Sequence, residues 1–477
     1  MQRVAVVAPR ATLRDVLVLV AGAGCVEVDA VVPAGERELG EAGRRLQRLT
    51  AGDSHEPVLA RQQPDLDELE SAGRVDLLAG EAELETRAAD ALVRGDVTAL
   101  AGWAPAAALP QLAELLAPVG GAVVPLNRPR GTDPPTMLRP TGRLHRTFAP
   151  LVDTYATVPY ADVDPTVLAG LAYVVMFGMM FADAGHGALL VAAGLFLRAG
   201  RPARLRRFRS SWLFVTAAGL CSMVFGVLFG EFFGPTGVVP VLWLEPLEEP
   251  ITLLLAALGV GAVLLAVAYA VGTVNRWREG GWRLTLVAPS GLAGSALFLG
   301  LGLLVLGFGA GGDWVVALGA LVAAGGLALA FIGLLAAAGG GAAGVAQASV
   351  EIFDAVLRVG TNLVSFARLA AFGLTHAALA LLVWRGATAL WEAGGPAVLG
   401  AVVVFLVGTA VAFTLEAVIA GVQALRLEYY ELFSRVFATE GRPFRPWHVP
   451  TAATTTTATA ATAATGSPAP SVLESAP

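Results

Sequence analysis

The sequence predicts an α-helical polytopic membrane domain of about eight transmembrane helices, with the last two long and tilted, preceded by a small α/β cytoplasmic domain. The 477 residues have a mean hydropathy of +0.67. Only 15% of them are charged, against about 25% in ordinary globular domains. Residues 1–165 hold 23 acidic and 16 basic residues, a net charge of −7. Residues 166–477 hold 15 acidic and 16 basic residues, a net charge of +1 over almost twice the length.

The composition also excludes several classes of function. The chain contains no lysine, which excludes a P-loop nucleotide site and Schiff-base chemistry. Its net charge of −6 makes nucleic acid an unexpected partner. Cys25 and Cys221 are far apart and fit no disulfide or metal pattern. Because the five histidines are scattered singly, we expect no multi-histidine metal site, and we expect no cofactor.

The first domain, residues 1–165, opens with a strand, a helix and a second strand. Gly22 and Gly24 follow this helix instead of preceding it, which indicates a helix C-cap and not a phosphate loop. The remaining predicted segments are a charged, helix-prone stretch at 35–96 that could form a short helical stalk, a second α/β unit at 97–124, and a linker at 128–141 rich in Pro, Gly and Arg.

The membrane domain, residues 166–447, contains eight apolar stretches, and residues 448–477 are a Thr/Ala-rich tail that we expect to be disordered. A bilayer core is crossed by about 20 apolar helical residues. We place the spans at 166–182, 184–198, 211–230, 251–274, 284–309, 314–337, 348–384 and 397–437.

The charges between the spans predict their orientation, because cytoplasmic loops are enriched in arginine and lysine. The loops after spans 2 and 4 and the segment after span 8 carry twelve arginines: Arg198, Arg201, Arg204, Arg206, Arg207, Arg209, Arg276, Arg278, Arg283, Arg435, Arg442 and Arg445. The predicted outer loops carry one, Arg385, beside the acids Asp183, Glu231, Glu245, Glu248, Glu249, Asp313 and Glu392. We therefore expect a plasma-membrane protein with both termini in the cytoplasm.

The last two spans differ from the others in length and in charge. They run for about 37 and 41 residues, or roughly 55–60 Å against a core of about 30 Å, so they must tilt or project from the bilayer. The first contains Arg368 and His376, and the second contains Glu416, Gln423 and Arg426. Charged residues within a membrane usually face a cavity or an opposite charge and mark an ion path.

Structural explanations for these polar residues remain open at this point. Arg368 and Glu416 could form a salt bridge that only holds the two helices together. His376 could hydrogen-bond a neighbouring carbonyl group, and Arg426 could extend to the membrane interface.

Four segments resemble subunit I of bacterial and archaeal V/A-type ATPases, the counterpart of eukaryotic V-ATPase subunit a. FGMMFADAGHGALL at 177–190 is similar to the family's first hairpin, and FARLAAFGLTHAALA at 366–380 is similar to the helix with the essential arginine. LEAVIAGVQALRLEYYELFSRVF at 415–437 is similar to the family's last helix, and GRPFRPW at 441–447 to its terminal segment. The opening strand, helix and strand, and residues 102–124, also fit the soluble part of the family.

The resemblance implies a stator subunit whose membrane domain abuts a rotating ring of proteolipid subunits. Protons would reach and leave a carboxylate on each ring subunit through two offset half-channels. By residue match, Arg368 is the arginine that separates these half-channels. His376, Glu416 and Arg426 would line the path, with Gln423 and Asp354 as further candidates. The other implied partners are the peripheral stalks, the soluble ATPase head and membrane lipid, and the chain itself would carry no nucleotide site.

The sequence departs from the family at two places. Only about 60 residues join the two α/β units, where the family usually has a long coiled-coil stalk, so contacts with the peripheral stalks and the head would be reduced or remodelled. Ala182 replaces the usual glycine of the hairpin, although Asp183 remains, and we interpret this hairpin as mainly structural. Two other functions compete with an ion-conducting stator: a secondary ion-coupled transporter and a non-conducting scaffold. Against the transporter, the intramembrane charges lie in the last two spans only, and no inverted repeat of broken helices is visible.

Overall fold

The computed structural model describes residues 1–30, 39–50, 55–129, 132–137, 142–200, 208–437 and 439–452. These residues form two compact units, one of residues 1–134 with the segment from 445 on, and one of residues 135–444. The domain boundary predicted at residue 165 lies inside the second unit, and residues 445–452 lie in the first. The rest of the predicted tail, and the arginines at 201–207, lie outside the described residues.

The first unit is built on an antiparallel sheet. Its strands are β1 (Gln2–Pro9), β2 (Glu27–Val28), β3 (Leu92–Arg94), β4 (Val97–Ala104) and β5 (Ala122–Leu126). Their order is β2-β4-β1-β5, and β3 also pairs with β4. Apolar residues alternate along β1, so that Val4, Val6 and Ala8 are buried. They lie in one core with Trp447 and Val449 from the end of the described chain.

Five helices complete the first unit: α1 (Leu13–Ala23), α2 (Glu41–Leu49), α3 (Leu66–Ser71), α4 (Val75–Ala89) and α5 (Leu109–Leu116). Gly24 has a left-handed φ of 56° and donates its N–H to the Val20 carbonyl, which confirms the predicted C-cap of α1. The stalk expected at 35–96 is not formed by the described residues. Instead, α4 buries Leu84 in the core of the sheet, and its Glu81 pairs with Arg14 of α1.

The described residues of the second unit form helices joined by loops. Its helices are α6 (Arg143–Tyr155), α7 (Thr166–Met180), α8 (Ala184–Ala199), α9 (Trp212–Phe229), α10 (Pro250–Val287), α11 (Leu292–Ala310), α12 (Asp313–Ala337), α13 (Gly341–Ser365), α14 (Ala367–Glu392), α15 (Ala397–Leu427) and α16 (Ser434–Val436). Six helical stretches among the described residues are long and apolar enough to cross a membrane, while α7 and α8 are shorter apolar helices. The predicted fold class, a polytopic helical membrane domain preceded by a small α/β domain, is confirmed.

Three of the long stretches deviate from simple helices. The helical stretch at 341–392 has 52 residues and contains the junction of α13 and α14 at Phe366. The α15 helix continues into a π-helical turn, Glu428–Phe433, before α16. At Gly281 the backbone of α10 kinks, with φ 66° and ψ −164°, so the residues at 284–287 end α10 and do not start the fifth span as predicted.

Close packing brings the α7–α8 turn against the end of α9. A Cβ atom on Gly187 of α8 would lie 2.7 Å from the Gly219 carbonyl oxygen of α9, so only glycine permits this approach of the two backbones. Ser222 of α9 donates a hydrogen bond to the Phe181 carbonyl in the turn. As a result, the segments that contain Asp183 and Glu231 lie side by side.

Candidate functional site

Asp183 is fully buried where the turn after α7 leads into α8. One carboxylate oxygen, Oδ1, accepts the backbone N–H groups of His186 at 2.8 Å and Phe233 at 3.0 Å. The other, Oδ2, accepts the N–H of Gly234 at 2.7 Å. Asp183 therefore caps α8 and also ties the segment after α9 to it, which fixes the carboxylate in position.

His376 of α14 and Glu416 of α15 form the centre of the buried polar region. The Nδ1 atom of His376 is hydrogen-bonded to Glu416 Oε2. Its other ring nitrogen, Nε2, has no hydrogen-bond partner and lies 3.8 Å from Glu231 Oε2 and 3.9 Å from Asp183 Oδ2. One imidazole thus faces three carboxylates from three different parts of the chain.

His186 adds a second imidazole to this region. Its Nδ1 atom lies 3.8 Å from Asp183 Oδ2, and neither of its ring nitrogens is hydrogen-bonded. The His376 ring centroid is 5.5 Å away. Three phenylalanine rings surround His186 at centroid distances of 5.7, 5.3 and 5.5 Å: Phe181, Phe233 and Phe413. These rings lower the local dielectric constant and strengthen electrostatic interactions among the buried groups.

We call these five residues the acid–histidine cluster: Asp183, His186, Glu231, His376 and Glu416. The sequence analysis named His376 and Glu416 but missed His186, and it counted Asp183 and Glu231 as outer-loop charges. Both acids are buried instead, with 0% and 3% of their surface exposed. A signal for His186 was available in the hairpin, where the histidine follows the aspartate at a helix N-terminus by three residues. The five histidines are scattered in sequence, but the fold brings two of them together.

Arg368 lies about two helical turns from His376, near the start of α14. It lines a groove of about 740 Å³ along α13 and α14, whose other walls are mostly apolar. The Arg368 side chain is half-buried, and its Nη1 atom has no hydrogen-bond partner. Among the described residues, the ion pair between Arg368 and Glu416 considered above is not found, because Glu416 pairs with His376.

A second set of polar groups lies near Arg368. The Glu431 carboxylate interacts electrostatically with Arg368 and Arg426, while the neighbouring Ser365 hydroxyl donates a hydrogen bond to the Thr361 carbonyl at 3.0 Å. Arg426 itself is exposed, whereas Gln423 is half-buried with an Oε1 atom that has no partner. Glu428, two positions after Arg426, is completely buried. The sequence analysis did not single out this residue.

Asp354 is placed apart from both sets. Its side chain is 55% exposed on α13 and forms an ion pair with Arg358 one turn further along the same helix. The structure therefore brings together His376 and Glu416, places Arg368 and Arg426 around Glu431, and leaves Asp354 at the surface of the described chain.

Comparisons with known proteins show which proteins the chain is similar to. A model of the V-type ATPase 116kDa subunit family matches residues 90–237, a range that includes Asp183, His186 and Glu231. A-type ATP synthase subunit I of Thermococcus kodakarensis is 27% identical over 390 residues, covering 75% of this chain and 55% of that protein. The subunit I of Pyrococcus horikoshii is 28% identical over 374 residues, covering 75% and 54%. That of Pyrococcus abyssi is 30% identical over 311 residues, covering 63% and 45%.

The fold and the buried charges define a multi-pass membrane protein with a small α/β domain and ionisable residues inside its helical unit. In the comparisons, the chain is similar to subunit I of V/A-type ATPases. The chain spans about half the length of the relatives that it matches.

Proposed function

We propose that the chain is the membrane stator subunit of a V/A-type rotary ATPase. In this proposal it forms two proton half-channels against a rotating proteolipid ring and couples proton translocation to ATP synthesis or hydrolysis. Its further partners are the peripheral stalks, the soluble ATPase head and membrane lipid. The protein lies in the plasma membrane with both termini in the cytoplasm.

The observation that carries the proposal is the position of Arg368 on an open groove, without an ion-pair partner within 4 Å among the described residues. A structural salt bridge would instead pair this arginine with an acid of the same chain. An unpaired guanidinium beside an open groove can attract a carboxylate from another protein, such as an acid on a rotor ring. Arginine suits this role because it stays charged, while a lysine could lose its proton in apolar surroundings.

The acid–histidine cluster supplies groups that can pass protons on one side of Arg368. Carboxylates and imidazoles that lie within about 4 Å of each other can exchange protons directly or through one water molecule. We assign His376 and Glu416 to one half-channel on this basis. We assign Gln423, Arg426 and Glu431 to the region of the second half-channel, because the charges of Arg368, Arg426 and Glu431 interact. Asp354 remains a candidate for the entrance only.

The membrane potential gives the driving force its scale. Each charge that crosses the membrane gains about 2.3 kcal/mol per 100 mV. A fixed positive charge between two half-channels would prevent protons from running directly from one to the other and dissipating this energy. The ring carboxylate would then have to rotate away to release its proton.

Proton flux in the reconstituted ATPase complex tests the proposal. We expect Arg368→Ala to abolish or uncouple proton transport, while the subunit still copurifies with the proteolipid ring. Arg385→Ala is the matched control, because Arg385 is an exposed arginine of the same helix and should leave flux unchanged.

Each alternative predicts a different result. Wild-type flux in the Arg368→Ala complex would reject the proposal and favour a non-conducting scaffold. A subunit that does not copurify with a proteolipid ring, and that transports ions by itself, would favour a secondary transporter.

A further inference from the structure

We infer that part of the acid–histidine cluster is a binding site for a zinc ion. Its four ligands are Asp183, His186, Glu231 and His376. Binding would occur in the isolated chain and needs no rotor ring, so this inference does not rest on the proposed function. Because a zinc ion would occupy Nε2 of His376, bound zinc would block proton transfer through His376, and the two states exclude each other.

The candidate zinc-ligand atoms already lie close together in the structure. One donor atom each from Asp183, His186 and His376 can be chosen so that all lie within 4.8 Å of one another. Glu231 Oε2 lies 3.8 Å from His376 Nε2 and supplies the fourth position. Ligand atoms around a tetrahedral zinc ion are about 3.3 Å apart, given zinc–nitrogen bonds of about 2.0–2.1 Å. Small side-chain rotations would therefore close the site around the ion.

Four buried polar atoms at this site have no hydrogen-bond partner among the described residues. His186 and His376 are only 1% and 2% exposed, yet both ring nitrogens of His186 and the Nε2 of His376 lack hydrogen-bond partners. Glu231 Oε2 also lacks one. Buried polar atoms in proteins are nearly always paired, and four unpaired atoms in one place call for an explanation. A metal ion among them would bind one ring nitrogen of each histidine and Glu231 Oε2 at the same time.

Glu416 completes the arrangement around His376. Histidines that bind zinc usually donate their other ring N–H to a carboxylate, which fixes the ring and makes the ligand nitrogen more basic. In this structure His376 Nδ1 is bonded to Glu416, and Nε2 points towards Asp183 and Glu231. Asp183 is likewise fixed, by its three backbone donors.

The donor types select the metal. Two imidazoles with two carboxylates suit zinc and related transition metals, whereas magnesium and calcium prefer oxygen ligands alone. Two ionised ligand carboxylates, Asp183 and Glu231, would neutralise the 2+ charge of the ion, which favours binding in an apolar setting.

An open groove lies beside the phenylalanine rings that surround His186. This groove of about 370 Å³ along α8 and α15 is lined by Phe233 and Phe413, whose rings contact His186.

Zinc titration of the purified full-length chain in detergent tests the inference. A chromophoric chelator that competes for zinc reports the affinity, and isothermal titration calorimetry reports the stoichiometry. We expect one zinc ion per chain, and magnesium in tenfold excess should not displace it. Cobalt(II) should give the visible absorption of a four-coordinate site with nitrogen and oxygen ligands.

Three variants separate this site from adventitious binding. We expect His186→Gln to weaken zinc binding by at least a hundredfold and Glu416→Gln, which changes only the support of His376, to weaken it by about 10–100-fold. His55→Gln, at an exposed histidine of the first unit, should bind zinc as the wild type does. A wild-type gel-filtration profile and a cooperative melting transition without zinc establish that each variant is folded.

Two results would overturn the inference. One is a wild-type chain that binds less than a stoichiometric amount of zinc, which would leave water as the occupant of the cluster. The other is a folded His186→Gln chain with wild-type affinity, which would place the bound zinc elsewhere.

Discussion

His376 and Glu416 are hydrogen-bonded to each other across α14 and α15, although 40 positions separate them in the sequence. The pair leaves the other ring nitrogen of His376 directed at Asp183 and Glu231. A helix hairpin is thereby joined to the α7–α8 turn through ionisable groups, in addition to ring contacts such as that of Phe181 with Phe413. The pair determines both the packing of these helices and the chemistry available in the acid–histidine cluster.

Removing one member of this pair should destabilise the protein strongly. His376→Ala leaves the Glu416 carboxylate without its partner in a mostly buried site, and breaking a buried pair in this way typically costs about 3–5 kcal/mol. Thermal unfolding of the full chain in detergent measures the loss. The double variant His376→Ala/Glu416→Ala should lose less than the sum of the two single variants, by about 0.5–3 kcal/mol. Strict additivity would mean that the two side chains do not interact.

The pairing itself could be anticipated only in part from the sequence. A histidine and a glutamate in two long apolar helices stand out because charge in a membrane is costly, and this identified His376 and Glu416. Periodicity says which residues share a face of one helix, but it cannot say which helix lies opposite. The partner of Glu416 therefore stayed open between Arg368 and other residues until the helices were placed.

His186, Asp183 and Glu231 show a second limit of the sequence. They lie at the ends of α7, α8 and α9, where the sequence defines the boundary of a span only to within several residues. A charged residue at such a position is therefore assigned to a loop. Only the close approach of α8 and α9 at Gly187 and Gly219 places them inside the unit. Similarly, the C-terminal residues Trp447 and Val449 gave no local signal that they complete the sheet core.

The fold class was more accessible, because it depends on local patterns. Long apolar runs predicted the helices, alternation predicted β1, and Gly24 predicted the cap of α1, although Gly22 lies inside that helix. The kink in α10 was missed because Gly280 and Gly281 resemble a loop between two spans, and the helix instead resumes after them.

Low pH should destabilise the segment before α7, because it protonates the Asp164 carboxylate. Burial acts to raise the pKa of Asp164, but hydrogen bonds from Thr166, together with His145, outweigh it and hold the pKa below the ordinary value. A depressed pKa in the folded state means that the ionised group stabilises the protein above the pKa of the unfolded chain. This contribution is lost as the pH falls through the folded pKa, that is, below about pH 4.

The melting temperature as a function of pH tests this. Wild-type protein should melt above Asp164→Asn at neutral pH, and the difference should shrink below about pH 4. Asp153→Asn, at an exposed aspartate of α6, is the control and should stay near the wild type throughout. A difference between wild type and Asp164→Asn that is constant from pH 7 to pH 3 would contradict the assignment.

Two substitutions of glycine by alanine in α10, one at its kink and one in its regular part, should have different effects on the free energy of unfolding. Gly281 has φ 66° and ψ −164°, a conformation that residues with a Cβ atom almost never adopt, and no neighbouring atom lies within 4 Å of the Cβ that alanine would add. Gly281→Ala should therefore cost about 1–3 kcal/mol through backbone strain alone. Gly259 lies in the regular part of the same helix and also has open space around it, so Gly259→Ala should be neutral or stabilise by up to about 1 kcal/mol. Thermal unfolding of both variants in the same detergent compares them directly, and equal effects would mean that α10 is not kinked at Gly281.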